Sequence, residues 1–301
     1  MMTPAQSRRF AVLQMLLCGL LWSIAGLFIK KIDCHPMVIA GARAVFACLV
    51  VRLFLRLRGI PVVVTRQVVV SALFWSGTFI TFVSANKLTT AANTIVLHYT
   101  SPIFILLIMR LLYQQSIRLV DGVTVATTLF GISLFFVGEL AFGSLVGNLL
   151  ALCSGLFMAS SFIAIRQSAR SERMCGVLFG HAITAAVGLP FVFFTDNHIT
   201  GEAIGCLLIL GVVQSGLPYI LLSNAVEHCS PLVCSLLSAV EPLLNPVWVA
   251  VFLGERPGPM ALAGGSVVIG SILVNMICNH RAQIRGQGPE ASEGREAARA
   301  K

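Results

Sequence analysis

The sequence has little charge: Asp, Glu, Lys and Arg make up only 11% of its 301 residues. A soluble domain carries about twice that share. With 57% hydrophobic residues and a mean hydropathy of +0.90, the chain cannot hide its apolar side chains from water, so it reads as an integral membrane protein. Other absences narrow the function. The nine cysteines form no CxxC pair and no His–Cys metal spacing, and most lie in apolar runs, where Cys behaves as a small hydrophobe. Neither a disulfide framework nor a metal site is expected, and no cofactor. There is no Walker A pattern, which excludes an ATP-driven pump within this chain, and no HExxH or GxSxG to serve an intramembrane enzyme. A net charge of +9 invites a nucleic-acid reading, but the basic residues sit between apolar spans and in the tail, where they set topology. No nucleic-acid partner is expected.

What is present is a series of ten apolar spans, at 10–29, 36–55, 67–86, 92–112, 121–139, 144–165, 174–194, 202–223, 231–253 and 259–278. His35-Pro36, Arg58-Gly59-Ile60-Pro61, Asp196-Asn197-His198 and Arg256-Pro257-Gly258-Pro259 mark breaks between them. Arg8-Arg9 followed by Phe10–Ile29 resembles a signal peptide, but the apolar run is too long and no small-residue cleavage site follows, which predicts a retained first helix. Residues 279–301 are polar and predict a disordered tail. Sixteen of the 21 Lys and Arg residues fall on the side of the termini, four fall opposite, and Arg43 lies within a span, so both termini are expected in the cytoplasm. The expected location is a bacterial inner or plasma membrane.

The chain is organised around Ser230–Pro257, SPLVCSLLSAVEPLLNPVWVAVFLGERP. Its apolar middle is long enough to cross a bilayer, yet it places Glu241 near the centre, beside Pro242, with Asn245 and Pro246 one turn later. A carboxylate at that depth costs roughly 2.5–3.5 kcal/mol and normally faces a protein interior or a watery cavity. Each proline removes a backbone donor and bends the helix. The layout recurs upstream. Residues 82–102 align with the stretch ending at 242, placing Ala85 on Ala225 and Pro102 on Pro242, and residues 20–31 align more loosely with 156–167. Five helices per repeat is an odd number, so the second half enters from the other side. The expectation is an all-α membrane fold of two inverted five-helix repeats, 1–140 and 141–278, with a site near the midplane where they meet.

The candidate site residues follow from cost at depth. Glu241 either exchanges a proton during a transport cycle or hydrogen-bonds helix ends freed by the prolines. His98, one turn before Pro102, either faces the same cavity or packs. Arg43 either attracts an anionic group or pairs with Asp33 or Glu139. Tyr99, Gln214, Tyr219 and Asn245 carry polar groups that need partners inside a membrane. Trp22 and Phe79, with Trp75 and Trp248, supply candidate aromatic walls. Glycines such as Gly155 and Gly270 are expected to permit close helix packing.

These residues also carry a family likeness. The Leu20-Leu21-Trp22 opening, Arg43, the run Ala85–Ala92, Glu241-Pro242 and Leu253-Gly254-Glu255-Arg256 resemble the drug/metabolite transporter superfamily, EamA-type branch, over residues 10–278. In the first half Ser101 stands where that pattern has Glu before the proline, and Gln114-Gln115 replaces Gly-Glu, so the role of a mid-membrane carboxylate falls to Glu241. The resemblance implies a secondary transporter of a small organic metabolite, amino-acid-like or amphiphilic, working by alternating access in the lipid bilayer. Protons are the candidate coupling ion and a homodimer the candidate assembly. The alternatives are a strict antiporter of nucleotide-sugar or triose-phosphate type, which needs several cations in its cavity, and a non-catalytic membrane scaffold, which needs no buried Glu.

Overall fold

The computed structural model describes residues 4–135, 137, 144–244, 248 and 259–284, and among these there are helices and no strand. Helices α1 (Pro4–Trp22) and α2 (Ala25–Lys31) form the first span, broken at Ser23-Ile24. Helices α3 (Pro36–Leu57) and α4 (Arg66–Leu88) follow, and α5 (Ala91–His98) with α6 (Ser101–Leu111) forms the fourth span. Next come α7 (Leu119–Phe135), α8 (Leu145–Gln167) and α9 (Arg170–Gly188), the last running into a 3-10 turn at Leu189–Phe193. The eighth span is α10 (Gly201–Ile209), a π-helical segment (Leu210–Gly216) and α11 (Leu217–Ala225). Helix α12 (Pro231–Ser238) resumes after Ala239 as far as Leu244, and α13 (Pro259–Ile284) closes the described chain.

Seven of these helical segments are long and apolar enough to cross a membrane, from Gln6–Lys31 to Gly201–Ala225; Leu119–Leu134, Pro231–Leu244 and Leu262–Cys278 are shorter apolar helices. Within the described residues the segments follow the expected spans, the fifth as far as Phe135 and the ninth as far as Leu244. Helix α13 continues to Ile284, taking in the first six residues of the expected tail, because its backbone bonds propagate into polar sequence. Asn245, Glu139, the Leu253–Arg256 motif and residues 285–301 lie outside the described residues.

Short polar side chains set where the helices begin. Thr65, Thr90, Ser144, Thr200 and Ser230 each accept a hydrogen bond from the backbone N–H three residues on, satisfying a donor that the first turn leaves unpaired. Thr90 and Ser230 lie 140 residues apart, the same offset that separates Pro102 from Pro242.

Prolines set where the helices break. Pro102 and Pro242 have no N–H to offer the carbonyls of His98 and Ser238. The chain tightens there with three-residue bonds, from Thr100 N to the Leu97 carbonyl at 3.2 Å and from Ala239 N to the Leu236 carbonyl at 3.1 Å. A glycine of a neighbouring helix lies against each break. A Cβ on Gly155 would stand 2.8 Å from the His98 carbonyl oxygen, and one on Gly19 would stand 3.5 Å from Glu241 N. Gly270, expected to pack, has open space beside it instead.

The packing has a regular pattern. Helix α4 lies on α8 and α9; α11 lies on α1, and the π segment on α3. Helices α5 and α6 lie on α8, while α12 lies on α1. The pairs α3–α9, α6–α12 and α7–α13 complete the set. Exchanging the first five spans for the second five turns each of these pairings either into another of the same set or, for the last three, into itself. The α7–α13 pair is joined by polar contacts, among them Asn275 Nδ2 donating to Asp121 Oδ1 (3.3 Å) and Thr124 Oγ1 (3.1 Å). Asn275→Ala should therefore destabilise the protein by about 1 kcal/mol, the scale of an interhelical hydrogen bond in a membrane, read as unfolding in mixed detergent micelles.

Candidate functional site

A cavity is lined by Trp22, Arg43, Thr78, Phe79, Phe82, His98, Met158, Gln214, Tyr219 and Glu241. Its free volume is about 30 Å³. That is room for about two waters, far below the hundreds of Å³ that an organic ligand site occupies. A substrate therefore fits only if the helices move apart.

Seven of the residues singled out in the sequence line this cavity: Trp22, Arg43, Phe79, His98, Gln214, Tyr219 and Glu241. Tyr99 sits behind it, bonded to Glu241, and Asn245 lies outside the described residues. The wall also takes Thr78, Phe82 and Met158, which the sequence reading did not name. Met158 was within reach of it, since the alignment of 20–31 with 156–167 places Met158 on Trp22.

Each polar group has a structural reason for its place. The Tyr99 hydroxyl lies 2.7 Å from the Ser238 carbonyl oxygen, the acceptor that Pro242 leaves without a helical donor, and 2.8 Å from Glu241 Oε2. The other oxygen of Glu241 has no hydrogen-bond partner among the described residues. His98 Nδ1 is 2.8 Å from Ser154 Oγ, leaving Nε2 without a partner among them. Arg43, only 4% exposed, donates from Nη1 to Gln214 Oε1 at 3.0 Å, and Ser215 Oγ donates to the same oxygen at 2.9 Å. The pairing of Arg43 with Asp33 is not found: Asp33 stands 3.9 Å from His198 at the surface. Among the described residues no carboxylate lies within 4.0 Å of the Arg43 guanidinium, Glu241 included. The chain thus holds a cation and a carboxyl group on one cavity without pairing them.

Aromatic rings fill the space between. Tyr219 meets Trp22, Phe79 and Trp75 with ring centroids 5.4, 5.2 and 4.8 Å apart. His181 stacks on Phe79 at 4.2 Å and Trp75 is fully buried among the rings, so both support the wall from behind. Trp248 donates from Nε1 to Ser23 Oγ at 2.7 Å, in the break of the first span.

Polar caps close off the helix ends on either side. At one, Lys30 Nζ reaches the Thr89 carbonyl (3.4 Å) and Lys87 Nζ the Ile32 carbonyl (2.6 Å). At the other, Arg166 Nη1 donates to the carbonyls of Val226 (3.0 Å) and Glu227 (2.9 Å), and Glu227 pairs with Arg173 at 3.2 Å and Arg170 at 3.9 Å. In the repeat alignment Arg166 is the equivalent of Lys30, and Glu227 of Lys87.

Comparison with known proteins gives the family. An uncharacterized transporter of Archaeoglobus fulgidus is 23% identical over 271 residues, covering 88% of this chain and 96% of the relative. The pseudopaline exporter CntI of Pseudomonas aeruginosa is 28% identical over 182 residues in one strain and 26% over 183 in another. Those matches span 59% of this chain and 63% of the exporter. A solved crystal structure superposes with a TM-score of 0.73 at 21% identity, covering 90% of this chain and 98% of that one, a likeness of fold. Residues 9–137 and again 145–277 match the EamA-like transporter family. The chain belongs to that family of multi-pass membrane transporters.

Proposed function

We propose that the protein is a secondary transporter that moves a small organic metabolite, amino-acid-like or amphiphilic, by alternating access between two inverted halves, 1–140 and 141–278. The observation that carries the reading is the cavity at the proline breaks, with Arg43, Glu241 and aromatic rings on its wall. The twofold match to one family, the exchange pattern of helix packing and the equivalent caps Lys30 and Arg166 support the two-fold relation. Alternating access then means that one set of caps opens while the other holds. By the Lys/Arg bias, the Arg166–Glu227 end faces the cytoplasm.

Glu241 is the candidate for proton coupling. When it is ionised, the Tyr99 hydroxyl donates to it. When it is protonated, its own O–H donates to the Tyr99 oxygen while Tyr99 donates to the Ser238 carbonyl. The same geometry therefore satisfies both states, which is what a carboxyl that exchanges a proton mid-membrane requires. Against an antiporter of nucleotide-sugar or phosphate type, Arg43 is the one cationic side chain on the described wall, and Glu241 repels a dianion. Against a scaffold, a buried cation and carboxyl held apart cost stability and need a use. CntI, a relative by partial match, is named an exporter, so export is the proposed direction.

The test is a proteoliposome assay. Vesicles loaded with a defined mixture of amino acids, amines, carboxylates, sugars and nucleotides are subjected to a pH gradient, and the lost solutes are identified by mass spectrometry. Protein-dependent loss of one class, accelerated by the gradient, is expected. Loss no faster than from protein-free vesicles for every class would overturn the transporter reading.

A further inference from the structure

Resting on that transporter reading for its consequence, we infer that Cys229 and Cys234 form a redox-modification site. A hydroperoxide closes the pair to a disulfide, which locks the joint between α11 and α12 and slows transport. The backbone of that joint gives the reason. Beyond Ala225 the turn stays bonded to α11, with His228 N and Cys229 N both donating to the Ala225 carbonyl at 3.0 Å. Beyond Ser230 the chain belongs to α12. Cys234 N donates to the Ser230 carbonyl at 2.9 Å, and Val233 N to the Ser230 hydroxyl oxygen at 3.4 Å. Ser230 is extended, at φ −68° and ψ 158°, and it alone links the two bonded segments. The cysteines flank it, one before the cap and one as the fourth residue of the helix, positions whose side chains commonly pack across a helix start. They do so here: the Cys234 thiol hydrogen-bonds the Cys229 sulfur and lies 4.0 Å from the Cys229 carbonyl oxygen. One sulfur is thus fixed to α11 and the other to α12. The same joint occurs 140 residues earlier, where Thr89 N donates to the Ala85 carbonyl (2.9 Å) and Thr94 N to the Thr90 carbonyl (3.0 Å) around an extended Thr90. There threonines stand in place of the cysteines, so only the later joint can be closed covalently.

The turn also belongs to the cap assigned to the cytoplasm, since Arg166 clasps the carbonyls of Val226 and Glu227. In a reducing cytoplasm the resting pair is two thiols and a disulfide is transient, as a sensor requires. Both residues are buried, which admits a small oxidant and excludes bulky ones. The Cys229 sulfur attacks a peroxide oxygen, and the O–O bond breaks to give a sulfenic acid and an alcohol, or water from hydrogen peroxide. The Cys234 sulfur then attacks the sulfenic sulfur, the S–O bond breaks, and water leaves with the second thiol hydrogen. Two electrons have passed from the thiols to the peroxide, and the new S–S bond spans Ser230. The bridge holds α12, with the break at Ser238, at one angle to α11, with Tyr219 on the cavity wall. Widening the cavity between them then requires a joint that no longer bends.

The test treats the full chain in proteoliposomes with hydrogen peroxide and then with dithiothreitol, following efflux of the solute mixture used above. Thiols left unreacted are alkylated, and peptides spanning 229–234 are read by fragmentation mass spectrometry. The expected product is one peptide lighter by two hydrogens with neither cysteine alkylated, and flux lower by about tenfold or more, as for an arrested hinge. Dithiothreitol should restore both. Cys229→Ser and Cys234→Ser should keep their flux through the peroxide treatment although the other cysteines remain. Should either variant fail to fold, the reversal by dithiothreitol in the wild type decides. A pair that stays open to alkylation, Cys229 oxidised only to a sulfinic or sulfonic acid, or a bridged pair with undiminished flux would overturn the site. Equal loss of flux in the serine variants would do the same, since it places the damage at another cysteine. Absence of protein-dependent flux before any oxidant would sink the transporter reading instead. The mass spectrum, with a higher melting temperature for the bridged protein than for the reduced one, would then still decide whether the joint is locked.

Discussion

Glu241→Gln should lower the rate of substrate flux in proteoliposomes by about 100-fold while leaving the protein folded. The size follows from the loss of one charged contact in a buried site, roughly 1.5–3 kcal/mol, with each 1.4 kcal/mol a factor of ten. The fold should survive because the amide can replace both states of the carboxyl. Its carbonyl accepts from Tyr99, or its NH₂ donates to the Tyr99 oxygen while Tyr99 serves the Ser238 carbonyl, which Pro242 leaves without a donor. If Glu241 is the coupling group, flux through the wild type varies with pH and the residual flux of the variant does not. The checks are efflux at several pH values, together with gel filtration and circular dichroism of the same sample. Undiminished flux in a folded variant would make Glu241 a structural residue that only helps Tyr99 close the break.

The largest expected effect on stability lies away from the cavity, where α3 crosses α9. Gly41 and Gly188 face each other there. A Cβ on Gly188 would stand 2.8 Å from both the Cα and N of Gly41 and would run into the Met37 carbonyl oxygen, while one on Gly41 would stand 2.7 Å from Leu189 N. These are backbone atoms and cannot swing aside, so the helices must separate. Gly188→Ala should cost about 3 kcal/mol, the upper end of ordinary overpacking. Gly270→Ala in α13 is the control, since nothing lies within 4 Å of its added methyl. It removes a helix-interior glycine and should stabilise by up to about 1 kcal/mol. Unfolding in SDS-containing micelles distinguishes the two. Equal effects would mean that the α3–α9 crossing is looser than the backbone contact implies. The crossing pairs the second and seventh spans, one from each of the two segments that match the family, so a loosened crossing should also reduce transport.

The sequence alone determines a good deal here, and the reason is that membranes make backbone rules strict. An apolar run of about 20 residues must be helical in lipid, so the spans are legible from hydropathy. Ser or Thr before half of the runs marks their starts, as Thr90 and Ser230 do. Pro102 and Pro242 mark the breaks, and their equal spacing from Ala85 and Ala225 exposes the duplication. Glu241 stands out because a carboxyl in an apolar run is expensive and has to face inward. The family follows from the same residues.

Tertiary structure alone decides what each side chain faces. In a soluble helix, polar residues mark the outer face. Here lipid and protein interior are equally apolar, so Leu73 at 55% exposure and Trp75 at 0% carry no distinguishing mark two residues apart. The helix breaks and the π segment at Leu210–Gly216 further shift the rotational phase, which no regular period predicts. That is why Thr78, Phe82 and Met158 join the wall unannounced, why Arg43 turns to Gln214 rather than Asp33, and why Tyr99 reaches across 142 positions to Glu241. The sequence names the costly residues; only the packing of ten apolar segments settles which of them share a cavity.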